Sequence, residues 1–131
     1  DSRLNSGCQI RSNSLPEYQN GRVHGYQVEI ATGTTAGLIY DEARRGRWLS
    51  EKRGDERAAA AFKDGEWNTF RVVCTSDTIL TWVNGVPVAA VSDAMTKTGF
   101  LGLQVHSFQG SPPAEVRWRN LRLRELNASA K

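Results

Sequence analysis

The chain has 131 residues, a formal net charge of +3 and a sequence pI near 9.1, with 39% hydrophobic and 24% charged residues. These values fit one globular domain, long enough to bury a core. No apolar run approaches the roughly 18 residues of a membrane-spanning helix, and the two basic stretches, "RRGRWLSEKRGDER" and "RWRNLRLRE", lack the dense basic face with aromatic stackers that nucleic-acid binding wants.

In chain order, the dominant period is two. "SGCQIRS" alternates Cys8 and Ile10 with Gln9 and Arg11. "HGYQVEI" alternates Tyr26, Val28 and Ile30 with Gln27 and Glu29, and "AGLIYDE" follows as a short strand. A helix is expected over "DERAAAAFKDG", where four alanines stand between charged flanks and Gly65 is placed to end it. "NTFRVVCTS" alternates Phe70, Val72 and Cys74 with Arg71 and Val73. "TILTWVNGVPVAAV" reads as two strands around Asn84-Gly85, a strong hairpin dipeptide, with Pro87 marking an edge or an irregular start. "GFLGLQVHSF" sets Leu103 and Val105 inward and Gln104 and His106 outward. In "AEVRWRNLRLREL" the apolar face changes parity near Asn120, which predicts a bulge or a strand break. Seven or so short strands with regular turns point to an antiparallel sandwich or barrel. Cys8 and Cys74 share strand faces with apolar neighbours and read as small buried thiols, a bridge between them being the other reading. Asn127-Ala128-Ser129 matches a glycosylation acceptor and reads as chance. No signal-peptide pattern opens the chain.

If Cys8, Ile10, Val28, Ile30, Leu103 and Val105 face a core, then Gln9, Arg11, Gln27, Glu29, Gln104 and His106 face away from it, with Tyr40 and Glu42 joining them. Amides that donate and accept, an arginine fork, a carboxylate and a histidine suit a hydroxyl-rich sugar. Each alone is also what a solvated strand face carries. His24, His106 and Glu29 are the ligand types of a two-histidine, one-carboxylate set for a divalent metal ion, although nothing in the spacing makes them converge. Arg44 and Arg45 in "DEARRGRW" either bind hydroxyls or pair with Asp41 and Glu42. Trp48 is placed to stack on a sugar face, whereas Trp67, Trp82 and Trp118 read as packing residues.

The stretches "LNSGCQIRS", "HGYQVEI", "IYDEARRG", "GEWNTFRVV", "TWVNGVPVA", "GFLGLQVHS" and "VRWRNLRLREL" occur in this order and together resemble the 3-keto-disaccharide hydrolase domain family over nearly the whole chain. The resemblance implies an all-β antiparallel jelly roll of the concanavalin A-like lectin/glucanase type. It implies further chain before "LNSG", so that this chain is a fragment, a processed form or a domain completed by another segment or an oligomeric partner. An open sheet edge would then invite pairing. Leu38 stands where the related motif often has glycine and is expected to narrow the neighbouring pocket.

The same resemblance implies cleavage of glycosides already oxidised to a ketone at sugar carbon 3. The ketone acidifies the C2 proton, a base removes it, the group at C1 leaves, and water addition completes a net hydrolysis. Glu29 is then expected as base or metal ligand, His106 as acid/base or metal ligand, and Tyr40 as proton donor. Arg11, Gln27 and Gln104 would orient hydroxyls, with Glu42, Arg44, Arg45 and Trp48 along the rim. A periplasmic or extracellular bacterial location goes with it. A non-catalytic carbohydrate-binding domain of the same fold is the competing reading. An ordinary glycoside hydrolase ranks below both, because the chain lacks an E-x-D-x-x-E strand motif.

Overall fold

The computed structural model describes residues 1–50 and 55–126. Among these residues it is all-β, with two antiparallel sheets, one short α-helix and a single 3-10 turn. The first sheet contains β1 (Ser6–Asn13), β2 (His24–Ile30), β3 (Ile39–Glu42) and β7 (Phe100–Val105) in the order β3-β2-β1-β7. The second contains β4 (Phe70–Thr75), β5 (Thr78–Val83) and β6 (Val86–Ser92) in sequence order. Between the sheets lies a core to which Ile10, Tyr26, Val28 and Ile39 contribute from the first, and Ile79, Val83, Val88, Ala89 and Val91 from the second. Leu38 is buried in this core and so does not narrow a pocket.

Local chemistry accounts for most boundaries. Asn84 and Gly85 both take positive φ, 49° and 80°, the geometry a tight hairpin turn demands. Pro87 falls in edge strand β6, where the register slips between Thr81 and Trp82. In β1 the register with both neighbours shifts after Gln9–Ile10, and Arg11 takes φ 46°. This is a β-bulge, and it reverses the alternation for the rest of the strand.

Three expectations are corrected. The helix α1 covers only Glu56–Ala59, N-capped by the Asp55 side chain, and Gly65 lies well beyond its end. Helix propensity gives way to packing here, because Ala61 is buried and Phe62 packs against the core and meets Phe70 edge-on. Leu103 and Val105 keep the predicted parity but are 40% and 74% exposed, since β7 is the edge of its sheet and its flank is left uncovered. "AEVRWRNLRLREL" forms no strand among the described residues, and Leu121 and Leu123 are exposed. A strand needs a ladder partner, and none of the described strands pairs with it. Asn120 nonetheless takes a positive φ of 57°, at the place where the parity changes. Both cysteines are free, and burial pushes both thiols up. The Asn127-Ala128-Ser129 motif lies outside the described residues.

Candidate functional site

The face of the first sheet turned away from the core is built by cross-strand pairing. Gly7 pairs with Glu29 and Gln104, Gln9 with Gln27 and Gly102, and Gln27 with Tyr40. Paired residues project to the same side, so Gln27, Glu29, Tyr40 and Gln104 converge there. A cavity of about 250 Å³ opens on this face, lined by Asn5, Gln27, Glu29, Tyr40, Glu42, Trp48, Gln104 and His106. The structure thus brings together seven of the residues singled out from the sequence. Among the described residues the lining holds two carboxylates and no lysine or arginine.

Glu29 is 5% exposed and held on both oxygens. Asn5 Nδ2 donates to Oε1, and Gln27 Nε2 donates to Oε2 at 2.9 Å. Burial pushes the Glu29 carboxyl above the usual carboxylate range; the Gln27 and Asn5 N–H groups and His106 oppose this rise, and Glu42 adds to it. The room for Gln27 comes from Gly7: a Cβ there would stand 2.5 Å from the Gln27 side chain. On the cavity wall, Asn5 Oδ1 and Gln104 Oε1 are buried with no partner among the described residues. Both are acceptors ready for a ligand's hydroxyl groups. Trp48 is 41% exposed, meets Tyr40 edge-on at 5.0 Å between ring centroids, and is tied to it by an isolated bridge. His106 follows the end of β7, exposed, with Nδ1 donating to the Ser107 carbonyl oxygen at 2.9 Å.

Four expected residues are elsewhere. The bulge carries Arg11 off this face, and its guanidinium donates to the Ser76 carbonyl oxygen in the β4–β5 turn at 2.7 Å. Arg44 and Arg45 both pair with Asp41, which is fully buried. Arg44 also reaches Thr96 Oγ1 at 3.1 Å, and Arg45 reaches Asp93 Oδ2 at 2.7 Å. They therefore clamp the chain after β3 to the chain after β6. His24 shares strand parity with Tyr26 and Val28, not with Glu29. Its ring lies 4.0 Å from that of Tyr18, and Nδ1 donates to the Arg22 carbonyl oxygen at 2.8 Å. The set His24, Glu29 and His106 is not brought together. Among the described residues no three His, Cys, Asp or Glu side chains stand close enough to hold a metal ion.

Asn5 was missed because it precedes the first alternating stretch, where periodicity carries no signal. A family model for the 3-keto-alpha-glucoside-1,2-lyase-like domain matches residues 1–124 of the chain. No curated protein matches it. The chain belongs to the 3-keto-alpha-glucoside-1,2-lyase-like domain family.

Proposed function

We propose that this family member cleaves neutral 3-keto-glycosides at C1 after removing the C2 proton, with Glu29 as the base. The observation that carries the reading is a buried carboxylate, raised by desolvation yet held on both oxygens by amide donors, on the wall of a cavity with no lysine or arginine among its described residues. A carboxylate has about four lone-pair sites, so two remain for a substrate proton. Its raised basicity suits proton abstraction next to a carbonyl. In this step the C2–H bond breaks and the proton passes to Glu29. The electron pair forms the enediolate, the C1–O bond breaks, and the leaving oxygen takes a proton from Tyr40 or His106. Water adding across the resulting enone gives net hydrolysis; release before that addition gives a lyase.

Substrate character follows from the wall. Asn5 Oδ1 and Gln104 Oε1 accept hydroxyl protons, and Trp48 offers a ring face to the sugar. Two carboxylates repel an anionic ligand, and a like-charge contact costs several kcal/mol. A uronate or phosphorylated sugar is therefore a poor ligand. We further read the two sheets as part of a concanavalin A-like jelly roll, with this face as the sugar-bearing one.

The test is turnover of a 3-keto-glucoside and of its 3-keto-glucuronide counterpart. Wild type turns over the neutral substrate, discriminates against the glucuronide by about 100-fold, and loses turnover in Glu29→Gln and His106→Ala. Full turnover in both variants would sink the assignment. A non-catalytic sugar-binding role is the second reading, favoured by the exposure of Trp48 at the cavity. Calorimetric binding of unoxidised oligosaccharides without turnover of any 3-keto substrate would establish that role instead.

A further inference from the structure

Behind Glu29 runs a file of buried polar side chains that leads from the cavity wall at Gln27 away from the cavity. Gln27 Nε2 donates to Glu29 Oε2 at 2.9 Å; Gln9 Nε2 donates to Gln27 Oε1 at 3.0 Å; and the Ser12 hydroxyl donates to Gln9 Oε1 at 2.8 Å. Gln9 is 4% exposed, Gln27 2% and Ser12 fully buried. Neither Gln9 nor Ser12 lines the cavity.

Each link fixes the sense of the next. As a base, the ionised Glu29 carboxylate can only accept, so Gln27 turns its NH₂ to Glu29 and its carbonyl to Gln9. Gln9 then presents its NH₂ to Gln27 and its Oε1 to the Ser12 hydroxyl, which donates to it at 2.8 Å and also lies 3.1 Å from the Ile10 carbonyl oxygen. Reversal of the Gln27 amide would set its carbonyl oxygen against Glu29 Oε2 and leave the NH₂ groups of Gln27 and Gln9 facing each other. Strict alternation would not place Ser12 here. The bulge at Arg11 turns Arg11 away and swings Ser12 into the file. Gly25 leaves the space, since a Cβ there would stand 2.5 Å from Ser12 Oγ, at a φ of 139° that side chains rarely adopt.

We propose that Gln9, itself backed by Ser12, is a positioning residue: it holds the Gln27 amide so that Glu29 always meets a donor and its free lone pairs stay aimed at the substrate. This rests on Glu29 acting as the base. The bulge is then part of the catalytic design, not an accident of the sheet.

The test compares Gln9→Met, which keeps length and removes hydrogen bonding, with Gln9→Glu, whose carboxylate accepts from both Ser12 and Gln27 and draws the Gln27 NH₂ away from Glu29. Ser12→Ala removes only the last hydroxyl and guards against a variant that fails to fold. Two readouts are taken: the side-chain ¹⁵N–¹H₂ resonances of Gln27, and kcat and KM on a 3-keto-glucoside. The expected result is a shifted Gln27 resonance in all three, with kcat reduced about 3- to 10-fold in Gln9→Met. The loss is larger in Gln9→Glu and smaller in Ser12→Ala, and KM stays within about two-fold because no group touching substrate has changed. Unshifted Gln27 resonances, or reduced stability with unchanged kcat, would overturn the proposal. If wild type turns over no 3-keto-glucoside, the reading of Glu29 fails, and the resonances alone then decide whether Gln9 orients Gln27.

Discussion

The first sheet carries buried carboxylates on opposite faces, and the two are held in opposite ways. On the core side, Asp41 is fully buried between the Arg44 and Arg45 guanidiniums, and Arg45 extends the pairing to Asp93, which also accepts from the Tyr26 hydroxyl. On the other side, Glu29 is buried to a similar degree, and among the described residues its hydrogen bonds come from the neutral amides of Asn5 and Gln27. The pKa directions follow. Burial pushes the Asp93 carboxyl up, but the Arg45, Tyr26 and Met95 donors outweigh it and hold it at about 2. Burial of Glu29 is not outweighed, and its carboxyl stays raised. The Asp93 carboxylate, held by Arg45, is kept in its charged form and serves as part of a structural clamp. A carboxylate held by amides is oriented without being silenced, and can still take a proton.

The comparison breaks most visibly under mutation. Glu29→Gln should lower turnover of a 3-keto-glucoside by about 10²- to 10⁴-fold while leaving the folded state at least as stable, since it removes a buried charge. Steady-state kinetics beside thermal denaturation checks both halves. Asp41→Asn should do the reverse. It leaves two arginines without their shared partner and should cost about 3 kcal/mol of stability, read by urea denaturation. Turnover per folded molecule should remain near the wild-type value.

The pH dependence sharpens the contrast. The Asp93 pKa is depressed, so its contribution is present above an unfolded value of about 3.9 and is lost as pH falls towards about 2. Glu29 has the opposite sign: its raised pKa makes ionisation less favourable in the folded state, so stability is lost as pH rises above about 4.3. The stability of Glu29→Gln relative to wild type should therefore grow between pH 4 and 7. The deficit of Asp93→Asn should shrink as pH falls below 4. Parallel denaturation curves at all pH values would remove the distinction. The smallest effect belongs to Arg11→Ala, which should change kcat/KM by less than about two-fold, because that side chain reaches the β4–β5 turn and not the cavity.

Much of this arrangement was legible in the alternation of polar and apolar residues. Period two in "CQI", "YQVEI" and "IYDE", with the motif order, placed Gln27, Glu29, Tyr40 and Glu42 on one face, where they line a single cavity. The set His24, Glu29 and His106 rested on ligand type, and the structure places His24 with Tyr26, away from Glu29. The bulge was not legible, because nothing in "QIRSN" announces the extra residue that reverses Arg11 and Ser12. For "DEARRG" the sequence left two readings open, hydroxyl binding or pairing with Asp41 and Glu42, and the structure shows both arginines on Asp41, which lies on the core side of β3. The C-terminal stretch alternates well enough to read as a strand, but alternation supplies a face and not a partner. Asn5 lies just ahead of β1, outside any periodic segment, and only the fold sets its amide against Glu29.

The most direct measurement is the fate of the C2 hydrogen of a 3-keto-glucoside incubated with the protein in deuterated water and followed by NMR. Proton abstraction by Glu29 predicts that wild type cleaves the substrate with loss of the C2 hydrogen to solvent, and that Glu29→Gln neither cleaves it nor exchanges that hydrogen above the buffer rate. Cleavage with the C2 hydrogen retained, or exchange by Glu29→Gln at the wild-type rate, would contradict the assignment of Glu29 as the base.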